Sequence, residues 1–359
     1  MNYCERIKSI DSSPLYYWPA AVEQEPRICI FGAGGRGREM AAFLRTQGSE
    51  VVCFFDNAPE KSNTQIDGVP VYTPDNAPEQ MLKLPVVICT HAQDVVFFQC
   101  KARFRKVFLD FNSGIFPTPT EIRTFLENYD QYLDMFEDDA SKECFAGLIA
   151  ASLTADDGYR IVSSYRPWSH PEVRLAPGET MIDVGSFRGA GVIQFSRSVG
   201  NDCNIFALEP HPGFYTDMCE NIDREGLTQS ITPLCVGAGP NTGVSRFDIM
   251  GNTGWAHLSP VGGTVIYTYT IDALVERFGI TPNVLASGAL GAEKFLVECA
   301  EKTIRKHKPK IIIGTHAGAP LIMHSLRKLV PEYKFYYGHH NMVMGLSLNS
   351  RGIVYAIAR

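Results

Sequence analysis

Short apolar runs and stretches of helical spacing alternate along most of the chain, and that alternation predicts strands followed by helices. From Arg27, RICIFGAGGRG passes from an apolar strand into a glycine-rich turn, and residues 38–47 (REMAAFLRTQ) carry apolar side chains on one helical face. EVVCFF, closed by Asp56, reads as a second strand, DGVPVY as a short hairpin arm, and VVICT and KVFLDF as further strands. Residues 1–25 are irregular, contain Trp18 and read as an N-terminal arm. Pro117 and Pro119 mark a boundary, where Thr118 to Glu121 spell a capping box with proline at the first helical position. The helically spaced set Ile122, Phe125, Leu126, Tyr129, Leu133 and Phe136 continues that signal.

The pattern restarts at Glu179. TMIDVGSFRG reads as strand and turn, 190–199 as a helix, CNIFALEP as a strand, 213–224 as a helix and ITPLCVGA as a third strand. Residues 244–249 and 264–270 read as a hairpin, 272–278 as a short helix, 283–287 as a fourth strand and 292–306 as one long helix. Lys310–Gly314 is a fifth strand, 320–329 a helix, and 333–337 and 352–357 are closing strands. This order predicts an α/β protein with two Rossmann-like, doubly wound domains joined by a helical linker, the C-terminal sheet being of class I methyltransferase type. The expected boundaries are 1–25 for the arm, 26–116 for a nucleotide-binding domain, 117–177 for the linker and 178–359 for the second domain.

Composition narrows the function. With 45% hydrophobic and 20% charged residues the 359-residue chain is of globular composition, and its net charge of −6 opposes a nucleic-acid footprint. The basic stretch 305–310 (RKHKPK) reads as a cationic helix end stopped by Pro309. No apolar stretch approaches the roughly 20 residues of a membrane span, and the N-terminus has no signal-peptide core. The ten cysteines include no CxxC and no zinc spacing. Cys29, Cys53, Cys89, Cys203 and Cys235 sit in or beside apolar runs, as reduced, buried thiols of a cytoplasmic protein do.

The two halves share a chemical layout. Gly32, Gly34 and Gly37 form GxGxxG, and Asp56 ends the next strand 19 residues past Gly37. Asp183, Gly185 and Gly189 form DxGxxxG, and Glu209 ends the next strand 20 residues past Gly189. Glycines let a backbone approach a ligand, a helix N-terminus faces it, and an acid at the second strand's tip accepts hydrogen bonds from a ribose diol. The second turn carries Asp183 inside the strand end, where it repels a pyrophosphate but tolerates an ammonium group. That is the arrangement for S-adenosylmethionine rather than for a dinucleotide. The first turn is read either as a site for a nucleotide or nucleotide-sugar or as a tight turn that binds nothing.

The ordered blocks MIDVGSFRGAG, IFALEPHPGFYTDMCENI, TYTIDALVERFG and GAEKFLVECAEKTIRKHKPKIII, with YKFYYGHHN and GIVYAIAR at the end, look like the FkbM family of S-adenosylmethionine-dependent methyltransferases. The resemblance covers residues 179–359 and implies a Rossmann-like fold that methylates oxygen of a small molecule or sugar. It implies cofactor contacts from Asp183, Gly185, Ser186, Phe187, Gly189, Glu209, Pro210, Val236 and Gly237. The first half more loosely resembles nucleotide-binding domains found with sugar-modifying enzymes. One block departs from the family. Where the family has an Asp and a Glu at the fourth strand's tip, this chain has Gly288 and Leu290, and only Gly291, Ala292 and Glu293 match. Acceptor positioning and catalysis are therefore expected to depend on other groups.

His316, directly after the fifth strand, is the first choice for a base, with Glu293 as the second candidate. Glu293 reads first as a helix N-terminal acid and only second as a base. His339 and His340 are adjacent on a strand and point to opposite faces, against a joint metal site, and no metal is expected. His257 and Trp255 lie in GNTGWAHLSPVGG, a loop that either covers the pocket or is a hairpin tip, and His91 follows a first-domain strand. Three functions stay open: a methyltransferase acting on a small-molecule or sugar acceptor, a non-catalytic S-adenosylmethionine or nucleotide binder with a degenerate site, and a dehydrogenase or epimerase of the first domain. The last lacks a Tyr-x-x-x-Lys dyad near that domain. No nucleic acid or membrane partner is expected, and association of identical subunits stays open.

Overall fold

The computed structural model describes residues 25–46, 48–90, 96, 99–100, 102–109, 128–154, 159–249, 256–258, 263–289, 293–315, 319–344 and 347–359. Two compact units result, one from residues up to 129 with 143–162 and 341–351, the other from 130–142, 163–340 and 352–359. Both are α/β with parallel sheets of Rossmann-like order, as the sequence predicts.

The first unit holds β1 (Arg27–Phe31), α1 (Gly35–Thr46), β2 (Glu50–Phe55), β3 (Gln65–Ile66), β4 (Val69–Tyr72), α2 (Glu79–Leu82), β5 (Val86–Ile88) and β6 (Val107–Leu109). Its sheet runs β3-β4-β2-β1-β5-β6, with β1 parallel to both β2 and β5 and with β3–β4 as the antiparallel arm. Central strands covered on both faces need apolar side chains on both, and Val86, Val87 and Ile88 are all fully buried. The inward stripe of α1 is Met40, Ala41 and Leu44. The expected capping box at Thr118 and the residues to Leu126 lie outside the described residues. The next two described helices are α3 (Tyr129–Leu133) and α4 (Asp139–Thr154).

The second unit's main sheet is built from β7 (Glu179–Val184), α5 (Ala190–Ser198), β8 (Cys203–Leu208), α6 (Pro212–Arg224), β9 (Ile231–Leu234), β14 (Val284–Ser287), β15 (Lys310–Gly314), α10 (Ala319–Leu329), β16 (Tyr333–Met344) and β17 (Ser347–Ala358). The strand order is β16-β17-β15-β14-β7-β8-β9, parallel from β15 to β9 and antiparallel where β17 joins β15. The core between sheet and helices includes Met181, Val192, Ile205, Met218, Ile222, Ala286 and Ile312. The closing strands extend well beyond the expected 333–337 and 352–357.

Three elements differ from the sequence reading. ITPLCVGA is not one strand: β9 stops at Leu234, and Gly237–Ala238 (β10) pairs instead with β13 (Thr264–Tyr269). Cys235, at that break, is exposed rather than buried, whereas Cys29, Cys53, Cys89 and Cys203 are buried free thiols. The expected hairpin is part of a four-stranded sheet, β10-β13-β11-β12, with β11 at Gly243–Ile249 and β12 at Ala256–Leu258. His257 thus lies in a strand paired with Asp248, while Trp255 falls outside the described residues. The long helix expected over 292–306 divides into α8 (Glu293–Cys299) and α9 (Glu301–His307). The break at Ala300 is stabilised from α7 (Ile271–Phe278), whose Asp272 carboxylate accepts the N–H groups of Lys302 at 3.0 Å and Thr303 at 2.7 Å. An acid supplied from a neighbouring helix caps α9 as a local N-cap would. Among the described residues no helix is long and apolar enough to cross a membrane.

Candidate cofactor crevices

In the C-terminal unit, β7 ends at Val184 and the chain turns through Gly185 to Gly189 into α5. Gly185 has φ +79°, and a Cβ there would stand 2.6 Å from the Cβ of Ala289. The turn and the tip of β14 therefore meet with no room for a side chain. Phe187 also takes a left-handed backbone, φ +53°, which costs an aromatic residue energy unless the surroundings hold it. They do: its N–H donates to Glu209 Oε2 at 2.9 Å, and its ring meets Phe214 at a centroid distance of 4.5 Å.

Glu209 follows β8 and is buried, and its other oxygen, Oε1, accepts the N–H of His211 at 2.8 Å. Burial pushes its carboxyl up to about 7; the His211 and Phe187 N–H groups oppose the rise, and nearby Asp183 adds to it. Asp183 is itself buried at the end of β7 and accepts the Ser186 hydroxyl at 2.6 Å. Two buried carboxylates thus face one glycine turn. Each Glu209 oxygen takes one N–H and keeps a lone pair for a further donor.

The other expected cofactor contacts are spread around this pair. Gly189 is the α5 N-cap at φ +85°, and a Cβ there would stand 3.0 Å from the Met218 side chain. Pro210 and Gly237 are neighbours, the Cβ position of Gly237 lying 3.4 Å from Pro210 Cβ. Val236 donates its N–H to the Leu234 carbonyl in the turn between the two sheets. At the tip of β14, Gly288 N–H donates to the Val184 carbonyl, and no ionisable side chain stands at the described tip residues Ser287, Gly288 and Ala289. Leu290 and His316 lie outside the described residues, and Glu293 is placed only as the first residue of α8.

The N-terminal unit repeats the design. A Cβ on Gly37 would stand 1.9 Å from the Gly32 carbonyl oxygen, and one on Gly32 2.4 Å from the Cys89 carbonyl oxygen, so backbones touch at both positions. Gly34 has open space around it. Asp56 follows β2; its Oδ2 accepts the Ala33 N–H and its Oδ1 the Ala58 N–H, each at 3.0 Å. Lys61 adds its ammonium to Oδ2 at 2.8 Å. Burial acts to raise the Asp56 carboxyl, but Lys61 and the two N–H groups outweigh it and hold the group below the usual range. His91 lies outside the described residues.

Two residues were not singled out from the sequence. His211 caps α6, its Nδ1 accepting the N–H groups of Gly213 and Phe214, and EPHPG carries the signal in the proline at the first helical position. Lys61 ends the turn DNAPEK, and its position five residues past the acid was the available hint. His339 and His340 are buried in β16, where His340 Nε2 meets the Tyr355 hydroxyl at 3.2 Å.

Residues 23–105 match the family model of the CoA binding domain. No curated protein matches the chain. In structure the chain is similar to methyltransferase FkbM from Methylobacillus flagellatus KT, with a TM-score of 0.68 and 17% identity, over 98% of this chain and 98% of that one. Precorrin-6y C5,15-methyltransferase from Geobacter metallireducens GS-15 aligns with 52% of this chain and 84% of its own, at 14% identity and a TM-score of 0.36. At these identities the likeness is one of fold.

Proposed function

We propose that the protein is an FkbM-like methyltransferase that uses S-adenosylmethionine to methylate a hydroxyl oxygen of a small molecule or sugar. One observation carries this reading: the buried Glu209–Asp183 pair lines a glycine turn at the carboxyl ends of parallel strands, where open α/β sheets bind ligands. Two buried acids repel a phosphate and suit a ligand that presents hydroxyl donors and an ammonium group. The fold likeness to a methyltransferase over nearly the whole chain supports the same reading.

Glu209 would hold the ribose hydroxyls, and Asp183 with the Gly185–Gly189 turn the amino-acid portion. When bound, S-adenosylmethionine supplies a methyl group on a positively charged sulfonium. Phe187, fixed by Glu209 and Phe214, would shape the wall of the crevice, and Pro210 with Gly237 its far side. Glu293 and His316 are the proposed acid and base positions. The N-terminal turn of Gly32, Gly34 and Gly37 is proposed to hold a nucleotide or nucleotide-sugar, in line with the family match over 23–105. The proposed setting is the cytoplasm.

The tip of β14 favours a second reading, a binder that has lost activity, because its described residues offer no ionisable group. Calorimetric titration with S-adenosylmethionine, S-adenosylhomocysteine and NAD tests the first reading, which fails if NAD binds this unit and the other two do not. An assay of S-adenosylhomocysteine release separates the two. Weak parental turnover that rises on Gly288→Asp with Leu290→Glu, at unchanged cofactor affinity, is the expected outcome. Robust turnover, insensitive both to that restoration and to His316→Ala, would show that the acids were never the missing part.

A further inference from the structure

The C-terminal unit contains a cavity of about 650 Å3 between the segment preceding β7 and the outer side of α5. That volume is typical of small-molecule sites. Asp183, Phe187 and Glu209 do not line it, so it is distinct from the cofactor crevice. Three arginines do line it, Arg166, Arg174 and Arg197, and no carboxylate is among its described lining residues.

Three of the neighbouring acids are already engaged, while the carboxylate of Asp202, whose N–H donates to the lining residue Val199, has no partner among the described residues. Glu225 pairs with Arg197, Glu172 with Arg359, and Glu179 with Lys310 at 2.7 Å. The guanidinium groups of Arg166 and Arg174 have no partner among the described residues. Two uncompensated guanidinium groups in a concavity concentrate positive potential there.

Trp168, which lines the same cavity, is held at a cost. Trp168 has φ +64°, an unfavourable backbone for an aromatic residue. Its backbone N–H donates to the hydroxyl of fully buried Tyr355 at 3.1 Å, and its side chain packs on the core while lining the cavity. The fold therefore fixes an aromatic surface beside two free cations.

We infer that this cavity binds a nucleoside diphosphate, free or as the handle of a larger molecule, with its phosphates at Arg166 and Arg174 and its base at Trp168. Guanidinium groups match phosphate oxygens in bidentate fashion, and an indole stacks on any base. The inference does not depend on the reading of the cofactor crevice.

The test is calorimetric titration of the full chain with UDP, UDP-glucose, uridine and pyrophosphate. UDP is expected to bind, with uridine and pyrophosphate at least about tenfold weaker because each lacks one half of the match. Arg166→Gln with Arg174→Gln should weaken UDP at least about tenfold, leave S-adenosylmethionine affinity unchanged, and flatten the salt dependence. Equal binding of UDP-glucose identifies the diphosphate as a handle; exclusion of UDP-glucose identifies the free nucleotide. Gly34→Asp serves as the control, since it places a carboxylate in the N-terminal turn at a position where a Cβ meets nothing within 4 Å. Loss of UDP binding in Gly34→Asp alone, unchanged affinity in the double arginine variant, or no heat with UDP at about 1 mM would overturn the assignment.

Discussion

In both units an acid at the tip of the second parallel strand accepts one N–H from the glycine turn and one from the residue two places farther along. Asp56 takes Ala33 and Ala58; Glu209 takes Phe187 and His211. The hydrogen-bond pattern at the acid is the same, and the third neighbour differs. Asp56 has the Lys61 ammonium, so its carboxyl lies low and its charge is balanced. Glu209 is more deeply buried and has Asp183 beside it instead, so burial first and that second acid next raise its carboxyl to about 7. Turn, strand and helix are common to both crevices; the groups packed around each acid set how its carboxyl titrates.

The largest expected effect separates the two acids directly. Glu209→Ala removes the acceptor for a ribose diol, and a charge-assisted hydrogen bond is worth roughly 1.5–3 kcal/mol. S-adenosylmethionine should therefore bind about tenfold to a hundredfold more weakly, while Asp56→Ala should leave its affinity unchanged. Equal losses in the two variants, measured by calorimetry, would end the assignment of the cofactor to the C-terminal crevice.

Backbone crowding gives the next effect. Gly185→Ala meets Ala289 and keeps a left-handed φ, and Gly37→Ala meets the Gly32 carbonyl, so each should lower stability by about 1–3 kcal/mol. Gly34→Ala, with open space and no positive φ, should change it by less than about 0.5 kcal/mol. Urea midpoints of the three variants check the ordering. A neutral Gly37→Ala would show that the first turn is looser than its contacts imply.

The pH response distinguishes the crevices more finely. Ribose hydroxyls donate to the charged form of Glu209, so binding selects the carboxylate. With the free carboxyl at about 7, affinity should be full well above that pH and fall as pH drops through it, by about tenfold from pH 8 to pH 6. Glu209→Gln should abolish that slope. A ligand held at Asp56 should show no such slope, because a carboxyl held low stays charged across this window.

Much of this architecture is legible in the amino-acid sequence. The two strand–turn–helix repeats and the acids at the tips of their second strands are local patterns, set by burial and by glycine's freedom to turn. The elements that sequence reading misplaced depend on partners remote along the chain. Asp272 caps α9 from 30 residues away, and β10 leaves the main sheet to pair with Thr268 and Tyr269. Periodicity across Ala300 or through ITPLCVGA cannot reveal either event. Arg166 and Arg174 fell in a stretch read as linker, where no period marks a site, and only folding beside α5 brings them to the same cavity as Arg197.

The smallest expected effect tests the third neighbour itself. Lys61 is well exposed, 43% at its side chain, and exposed ion pairs contribute about 0–1 kcal/mol, so Lys61→Ala should cost less than about 1 kcal/mol at neutral pH. The sign with pH comes from the lowered Asp56 carboxyl: its stabilisation is present above the unfolded group's ordinary value and is lost as pH falls through the lower folded one. The difference between parent and variant should therefore vanish in acid, where the protonated carboxyl no longer attracts the ammonium. Titration of the Asp56 carboxyl by NMR should show it rising in the variant, and any nucleotide affinity of the N-terminal turn should fall as the crevice becomes net negative like its counterpart. An unmoved carboxyl would mean that the two N–H groups alone hold Asp56 low. Glu209 accepts two corresponding groups, from Phe187 and His211, and is nevertheless raised, so in that outcome its deeper burial and Asp183, rather than the missing lysine, would account for the difference between the crevices.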